Sequence, residues 1–162
     1  MDISRYFCMQ RTMKTIQFHF LEKTSLPERV RLRTFLERLI QKHQKSIAEI
    51  NIYFCSNEKI LKINKKHLKH NYYTDIITFD FSQSDRSPII SDIFISIDMV
   101  RINAGLYRTT IVQELHRVIF HGFLHLVGYN DKSTEEKNIM RKKEASLLKK
   151  YFVSRETKKT KN

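Results

Sequence analysis

Residues 111–131 read IVQELHRVIFHGFLHLVGYND, and this stretch decides the fold that we expect. Apolar positions recur along it at helical spacing; they are Ile111, Leu115, Val118, Ile119, Gly122 and Leu126. Gly128 follows them, and glycine suits the left-handed position just past the end of a helix. The pattern therefore predicts a long helix that packs along one face and ends before Gly128.

The segments upstream of this helix predict a sheet and two further helices. Apolar and alternating patterns predict four strands, which are Thr15–Phe20, Ile47–Phe54, Asp75–Phe81 and Asp92–Ile97. Ser25 and Glu28 form a capping box that predicts a helix start after the first strand. Asn57 predicts the start of a shorter helix that continues to about Leu68.

Helices accumulate toward the end of the chain. Ser133 and Glu136 form a second capping box, which predicts a final helix with Met140 and Tyr151 turned inward. Strands that alternate with helices, followed by helices alone, are typical of an α+β fold. We therefore expect a single α+β domain with a mixed sheet of about four strands and helices packed on it.

The composition fits one domain and favours a polyanionic partner. The 162 residues are 41% hydrophobic, which is enough for one core. They include 30 Lys and Arg against 17 Asp and Glu, a formal net charge of +13. Such an excess favours nucleic acid or an anionic surface as partner. Because the chain has only 3 glycines, we expect no Gly-rich phosphate loop and no nucleotide cofactor.

We divide the chain into three parts. Residues 1–12 are expected to be a frayed or artefactual extension, residues 13–152 to form the domain, and residues 153–162 to be a basic disordered tail. Cys8 and Cys55 form neither a disulfide framework nor a Cys-x-x-Cys site, which favours a reducing cytoplasm. No apolar stretch approaches the ~20 residues of a membrane span. We expect a cytoplasmic protein with no membrane partner.

His121 and His125 carry the chemistry of the opening stretch. Histidines four positions apart project from one helix face and direct both imidazoles toward one point. Asp131 lies six residues past His125, beyond the turn at Gly128, and can supply a carboxylate as third ligand. Three ligands and an open position are typical of catalytic zinc, so we expect one Zn²⁺ ion at the end of the long helix. Manganese, nickel or iron are alternatives, because this ligand set does not discriminate sharply among them.

The neighbours of this histidine pair restrict the chemistry. Gly122 stands where a zinc protease of the His-Glu-x-x-His kind carries its general base. One turn before His121, Arg117 and Glu114 either hold a phosphate and orient a ligand imidazole, or form an ion pair on a solvated face. His116 points elsewhere on the helix and is assigned to packing.

The stretch HGFLHLVGY, residues 121–129, matches the start of a family signature, His-Gly-x-Leu-His-Leu-x-Gly-Tyr. In this the chain resembles the YbeY family, metal-dependent endoribonucleases of bacterial ribosomal RNA maturation. Residues 74–79, TDIITF, and residues 91–95, SDIFI, resemble two strands of the family in the expected order. The likeness spans roughly Ile16 to Tyr151.

Two positions depart from the family pattern. Asp131 stands where the family has its third metal histidine, and carboxylate is an accepted zinc ligand that lowers the charge of the site by one. Leu68 stands where many members carry an arginine proposed to meet RNA. Lys66 and Lys69 flank it, but as point charges without the bidentate fork of arginine.

The resemblance implies a hydrolase, a zinc-dependent endonuclease that cuts single-stranded RNA. The implied role is rRNA processing, in particular maturation of the small-subunit rRNA, together with ribosome biogenesis and quality control. Its implied partners are precursor rRNA and the small ribosomal subunit. A metal-activated water would hydrolyse the phosphodiester without a protein nucleophile. No catalytic residue beyond the metal ligands is assigned.

Basic and aromatic side chains are the candidates for contact with RNA. The basic candidates are Lys65, Lys66, Lys69, Arg86 and Arg117, and the stacking candidates are Tyr72 and Tyr73. For Asp75 and Asp92, capping or hydrogen bonding to backbone is expected rather than catalysis.

Two other functions fit some of these residues. The spacing of His121, His125 and Asp131 also resembles that of metzincin proteases, so a zinc-dependent peptidase is one alternative. A ribosome-associated RNA-binding protein with a structural metal is the other. Basic charge alone does not separate the latter from a nuclease.

Overall fold

A computed structural model describes residues 15–68 and 71–159, except the side chains of residues 68 and 154–159. The strands and helices in this part of the chain are β1 Thr15–Phe20, α1 Arg29–Lys42, β2 Ile47–Cys55, α2 Asn57–Ile63, β3 Ile76–Asp80, β4 Ile89–Ser96, α3 Ile97–Leu106, α4 Ile111–Leu126 and α5 Thr134–Lys159. A π-helical turn, Asn64–Leu68, extends α2.

The four strands form one mixed sheet in the order β1-β2-β4-β3. The first three strands in this order are parallel, and β3 joins β4 in the antiparallel direction at the edge of the sheet. In the register, Ile52 of β2 lies beside Ile93 of β4, which in turn lies beside Thr78 of β3. This confirms the predicted α+β domain with a four-stranded mixed sheet.

The core lies between one face of the sheet and the helices α1 and α4. Fully buried side chains come from the strands and from both helices; they include Ile50, Ile52, Phe54, Ile93, Leu32, Leu36, Leu115, Ile119 and Phe123. Each buried side chain of this size stabilises the fold by about 1.5–3 kcal/mol relative to exposure. The predicted apolar face of α4 is confirmed as the centre of the domain.

Gly122 sets the distance between α4 and β3. A Cβ atom built on Gly122 would lie 2.9 Å from Cδ1 of Ile76 and 3.4 Å from Oγ1 of Thr78. Any side chain at this position would require the Ile76 side chain to move. The helix therefore lies against the edge strand, with His121 and His125 beside the same strand.

The end of α4 also agrees with the prediction. The helix ends at Leu126, and Gly128 adopts a φ of 100°, the left-handed region that glycine occupies without strain. The Tyr129 amide donates to the Leu124 carbonyl at 3.0 Å, which turns the chain back beside the last helical turn.

Several predicted boundaries were wrong. The capping box at Ser25 does not form: α1 begins at Arg29, after Glu28 in a left-handed conformation. The cap of α2 is Ser56 rather than Asn57, because the Ser56 hydroxyl accepts from the Lys59 amide. The predicted cap at Ser133 does form, through the Glu136 amide at 3.1 Å.

The helix α3 was not predicted. The alternation Ile93, Ile95, Ile97 extended the predicted strand to Ile97, whereas β4 ends at Ser96. The Ser96 hydroxyl accepts from the Met99 amide at 3.2 Å and starts α3 at the next residue.

The segments predicted to lie outside the domain are residues 1–12 and residues 153–162. The predicted extension, residues 1–12, lies outside the described residues. The predicted disorder from residue 153 differs from the structure, in which α5 continues to Lys159. Neither glycine nor proline interrupts this segment, so the helix has no local stop signal. No helix of the described chain is long and apolar enough to cross a membrane.

Candidate metal centre

His121, His125 and Asp131 converge at the C-terminal end of α4. Nε2 of His121 lies 3.0 Å from Nε2 of His125. Oδ2 of Asp131 lies 3.5 Å from the first of these nitrogen atoms and 3.7 Å from the second. The structure thus brings together the three residues that the sequence predicted as metal ligands, with one donor atom of each directed to the same point.

These distances fit a single ion. Ligand atoms about 2.1 Å from a tetrahedral zinc ion lie about 3.4 Å from one another. The three separations of 3.0, 3.5 and 3.7 Å bracket that value. Two imidazoles and a carboxylate are also the donor types that zinc prefers in catalytic sites. The residues present therefore fit one divalent ion.

The segment that carries Asp131 is held by the cap of α5. The backbone amides of Lys132 and Ser133 both donate to Oε2 of Glu136, at 3.0 and 2.9 Å. These hydrogen bonds lower the pKa of the Glu136 carboxyl, the largest cause being the bond with the Ser133 amide. The capping box thus fixes the chain directly after Asp131.

Glu144 orients His121, and the sequence analysis missed it. Oε1 of Glu144 lies 2.6 Å from Nδ1 of His121, and the Glu144 residue is 6% exposed. The proton of Nδ1 is donated to this carboxylate, so the Nε2 lone pair faces the cluster. A signal was present, since Glu144 lies four residues past Met140 and seven before Tyr151, at positions that place it on the same inward stripe of α5.

Arg117 lies behind this pair and contacts three carboxylates. Its guanidinium lies 2.8 Å from Glu114, 3.3 Å from Glu144 and 3.3 Å from Asp75. Burial alone would lower the pKa of Arg117, but the hydrogen bond with Glu114 and the three negative charges outweigh burial and raise it. We call these four residues the Arg117 cluster.

The Arg117 cluster corrects two expectations. Glu114 was expected either to orient a ligand imidazole or to pair with Arg117 on a solvated face; the pair with Arg117 forms, but Glu114 is 2% exposed, so the face is buried. Asp75 was expected to bond to backbone, whereas its side chain contacts the Arg117 guanidinium. His116 is 1% exposed among aromatic rings, as the packing assignment predicted.

Burial also affects His125. Desolvation lowers the pKa of its imidazole, and the neighbouring His121 lowers it further. Asp131, a backbone hydrogen bond with Tyr129 and Glu144 oppose these two effects without reversing them. The neutral form, which is the form that ligates a metal, is therefore favoured at neutral pH.

The cluster opens into a cavity of about 500 Å³ between β3 and α4, which we call the cleft; its lining includes Ile76, Thr78, His121 and His125. Three carboxylates line it, those of Asp75, Asp80 and Asp131. Among the described residues, no Lys or Arg lines it.

The predicted RNA contacts are scattered around the cleft. Tyr72 lines it and is 56% exposed. Lys66 is exposed on the π-helical turn and Arg86 in the loop before β4, and neither side chain lines the cleft. Lys69 lies outside the described residues. The Arg117 guanidinium already donates to carboxylates.

A second depression flanks the cluster on the side of α5. It shares His121 and Asp131 with the cleft and has a volume of about 710 Å³. The exposed cations Lys137 and Arg141 line it. Positive charge is thus present next to the cluster, on α5, in a depression that four carboxylates also line.

Comparisons with known proteins identify relatives that match most of the chain. The family model for endoribonuclease YbeY matches residues 9–152. The endoribonuclease YbeY of Cytophaga hutchinsonii is 51% identical over 133 residues, 81% of this chain and 92% of that protein. That of Bacteroides thetaiotaomicron is 46% identical over 114 residues, 70% of this chain and 82% of that protein.

A solved structure shares the fold. The solution structure of a Thermotoga maritima protein matches with a TM-score of 0.62 and 23% sequence identity. The match covers 91% of this chain and 95% of the other. The family model covers residues 9–152, which include residues 121–129, and the two relatives match 81% and 70% of the chain. The chain belongs to the YbeY endoribonuclease family.

Proposed function

We propose that the protein is a zinc-dependent endoribonuclease that cuts single-stranded RNA in the cytoplasm, during processing of small-subunit precursor rRNA and ribosome quality control. The observation that carries this proposal is the cluster of His121, His125 and Asp131 at an open cleft, in a chain of an endoribonuclease family. Single-stranded RNA, precursor rRNA and the small ribosomal subunit are the proposed partners.

The three residues of the cluster would hold the ion. A bound zinc ion supplies a Lewis acid for a phosphoryl oxygen and lowers the pKa of a coordinated water to about 7. No nucleophilic side chain is then required.

Glu144 fixes the tautomer and the direction of His121 through the 2.6 Å contact with Nδ1. Arg117 in turn holds Glu144, and the same guanidinium ties Asp75, at the start of β3, to α4. The ligand geometry is therefore coupled to the wall of the cleft. Displacement of either acid would change the direction of His121 or the position of that wall.

Phosphate and base contacts would come from outside the cleft floor. Lys137 and Arg141 are the exposed cations of the depression that shares His121 and Asp131, so they can meet the phosphates next to the cut bond. Tyr72 at the cleft offers an exposed ring for an unpaired base. Lys66, Lys69 and Arg86 remain proposed contacts farther along the strand.

The peptidase alternative is not favoured at Gly122. A peptidase of the His-Glu-x-x-His kind needs a carboxylate at this position, yet a Cβ atom here would lie 2.9 Å from Ile76. The structural-metal alternative is not favoured either, since structural zinc sites have four protein ligands. The cluster in the described chain has three, and the side chain of Asp131 is 41% exposed.

The test is cleavage of a labelled single-stranded RNA by the zinc-loaded protein, with casein as the peptidase substrate. His121→Ala removes a proposed ligand, and His19→Ala is the matched control, a partly buried histidine on the far face of the sheet. We expect wild type and His19→Ala to cut RNA and leave casein intact, while His121→Ala cuts neither. Equal RNA cleavage by all three proteins, or cleavage of casein alone, would contradict the proposal.

A further inference from the structure

A third cavity, on another side of the α4 C-terminus, is lined by cations where the cleft is lined by carboxylates. It lies between α1, the end of α4 and α5 and has a volume of about 560 Å³. Its floor is apolar and includes Leu39, Leu124 and Leu147. We call this cavity the helical groove.

Four cations stand on the rim of the helical groove, Arg38 and Lys42 on α1 and Lys143 and Lys150 on α5. All four are exposed, and no Asp or Glu of the described chain lines the groove. None of the four takes part in an ion pair within the described residues. Positive charge on both walls of a small apolar cavity favours an anionic ligand with a flat apolar part.

The groove and the proposed metal centre both border the C-terminal end of α4. Leu124 of the groove floor precedes His125, and Tyr129 of the groove wall lies two residues before Asp131. Nζ of Lys143 lies 5.2 Å from the centroid of the Tyr129 ring, and the His43 ring lies nearly perpendicular to it with the two centroids 5.9 Å apart. An RNA strand that leaves the cleft around the end of α4 would therefore meet the Tyr129 ring beside the Lys143 cation.

We propose that the helical groove is a second binding site for single-stranded RNA, in which a base of the substrate, away from the cut bond, lies on the apolar floor and the rim cations contact the adjoining phosphates. This proposal rests on the proposed function, because the RNA that binds in the groove is the same RNA that is cut at the cleft. The cavity has the size of a small-ligand pocket, about 300–1,000 Å³, which suits a nucleotide better than a protein helix.

The test measures RNA affinity in metal-free buffer, so that binding is separated from cleavage. Fluorescence anisotropy of a labelled 20-nucleotide RNA is compared for wild type, a groove triple variant (Lys42→Ala, Lys143→Ala, Lys150→Ala) and a control triple variant (Lys23→Ala, Lys59→Ala, Lys62→Ala). The control removes equal charge from exposed lysines outside the groove. We expect the groove variant to lose at least about tenfold in affinity and to lower the salt slope by about 2, and the control to lose less than about threefold.

Ser146→Leu tests the floor without changing charge. Ser146 is exposed on α5 and lines the groove, so a leucine there occupies the cavity without disturbing the core. We expect about a threefold to tenfold loss of RNA affinity from the excluded base. Equal losses in the two triple variants, or no effect of Ser146→Leu, would overturn the proposal. Displacement of the RNA by poly-glutamate as effectively as by unlabelled RNA would also overturn it, in favour of an acidic protein.

Cleavage with zinc separates this proposal from the proposed function. The groove variant should lower kcat/KM for the 20-nucleotide RNA about tenfold but leave a 6-nucleotide RNA unaffected, because the short strand cannot reach both sites. If wild type cuts neither RNA, the nuclease proposal fails, while the affinities in metal-free buffer still decide whether the groove binds RNA.

Discussion

The cleft and the helical groove lie on different sides of the C-terminal end of α4, and they differ in charge, in the polarity of their lining and in the presence of metal ligands. The cleft holds the three converging ligands, one of which is Asp131, and two further carboxylates, but no Lys or Arg of the described chain lines it. The groove has four exposed cations, an apolar floor and no carboxylate. The comparison indicates two separate roles: the lining of the cleft suits a cation, and the lining of the groove suits a polyanion.

The largest expected effect separates these two roles. His121→Ala removes one of three ligands, so RNA cleavage should fall by at least about a thousandfold, because the remaining pair holds the ion weakly. RNA affinity in metal-free buffer should stay within about twofold of wild type, since the groove is unchanged. A parallel loss of cleavage and metal-free binding would show that one region performs both functions.

A glutamate introduced at the cleft and a glutamate introduced at the groove should have unequal effects on the stability of the fold. Gly122→Glu puts a charged side chain into the 2.9 Å gap beside Ile76 and should lower the free energy of unfolding by at least about 3 kcal/mol. Ser146→Glu adds the same side chain on the exposed wall of the groove and should change it by less than about 0.5 kcal/mol. Urea denaturation measures both. Equal stabilities would contradict the close approach of α4 to β3.

Glu144→Gln tests the link behind the cleft. The amide keeps the shape of the side chain but loses the charge that accepts the Nδ1 proton of His121, so zinc affinity should fall about 10- to 100-fold. Competition with a chelating dye measures this without reference to activity. Glu135→Gln, an exposed acid on the same helix, is the matched control and should leave the affinity unchanged. Similar zinc affinities for both variants would show that Glu144 does not orient His121 for metal binding.

The smallest expected effect concerns the helix that serves both regions. Ser133→Ala removes the hydroxyl that accepts from the Glu136 amide at the start of α5 and should cost about 1 kcal/mol of stability. Ser146→Ala, in the middle of the helix, should cost nothing measurable, because alanine is the better helix former. Thermal denaturation distinguishes the two. A larger loss for Ser146→Ala would show that the groove wall, rather than the cap, stabilises α5.

Local patterns predicted the parts of the molecule that depend on local sequence. The face of α4, its end at Gly128 and the convergence of His121 with His125 follow from helical periodicity within 18 residues. The order of strands and helices was also largely readable, because each strand has its own apolar run. The boundary of β4 was not, since β-branched residues continue from the strand into α3.

The unpredicted parts of the site arise from packing between distant segments. Glu144 reaches His121 across 23 residues of sequence, and Asp75 reaches Arg117 across 42. The helical groove combines α1 with α5, which are separated by most of the sheet in sequence. Net charge predicted a polyanionic partner but could not assign the charge to one side of α4.

The Arg117 cluster bears on the order in which the site is assembled. Arg117 balances one of the three carboxylates around it, which leaves two negative charges behind His121, and Asp131 adds a third at the cleft. A field of this sign attracts a divalent cation and repels a phosphate. At the cleft, electrostatics therefore favour a sequence in which the ion binds before the phosphate that is to be cut, while the groove can hold RNA without the ion. The supply of free ion then sets the fraction of RNA-bound protein that is ready to cut.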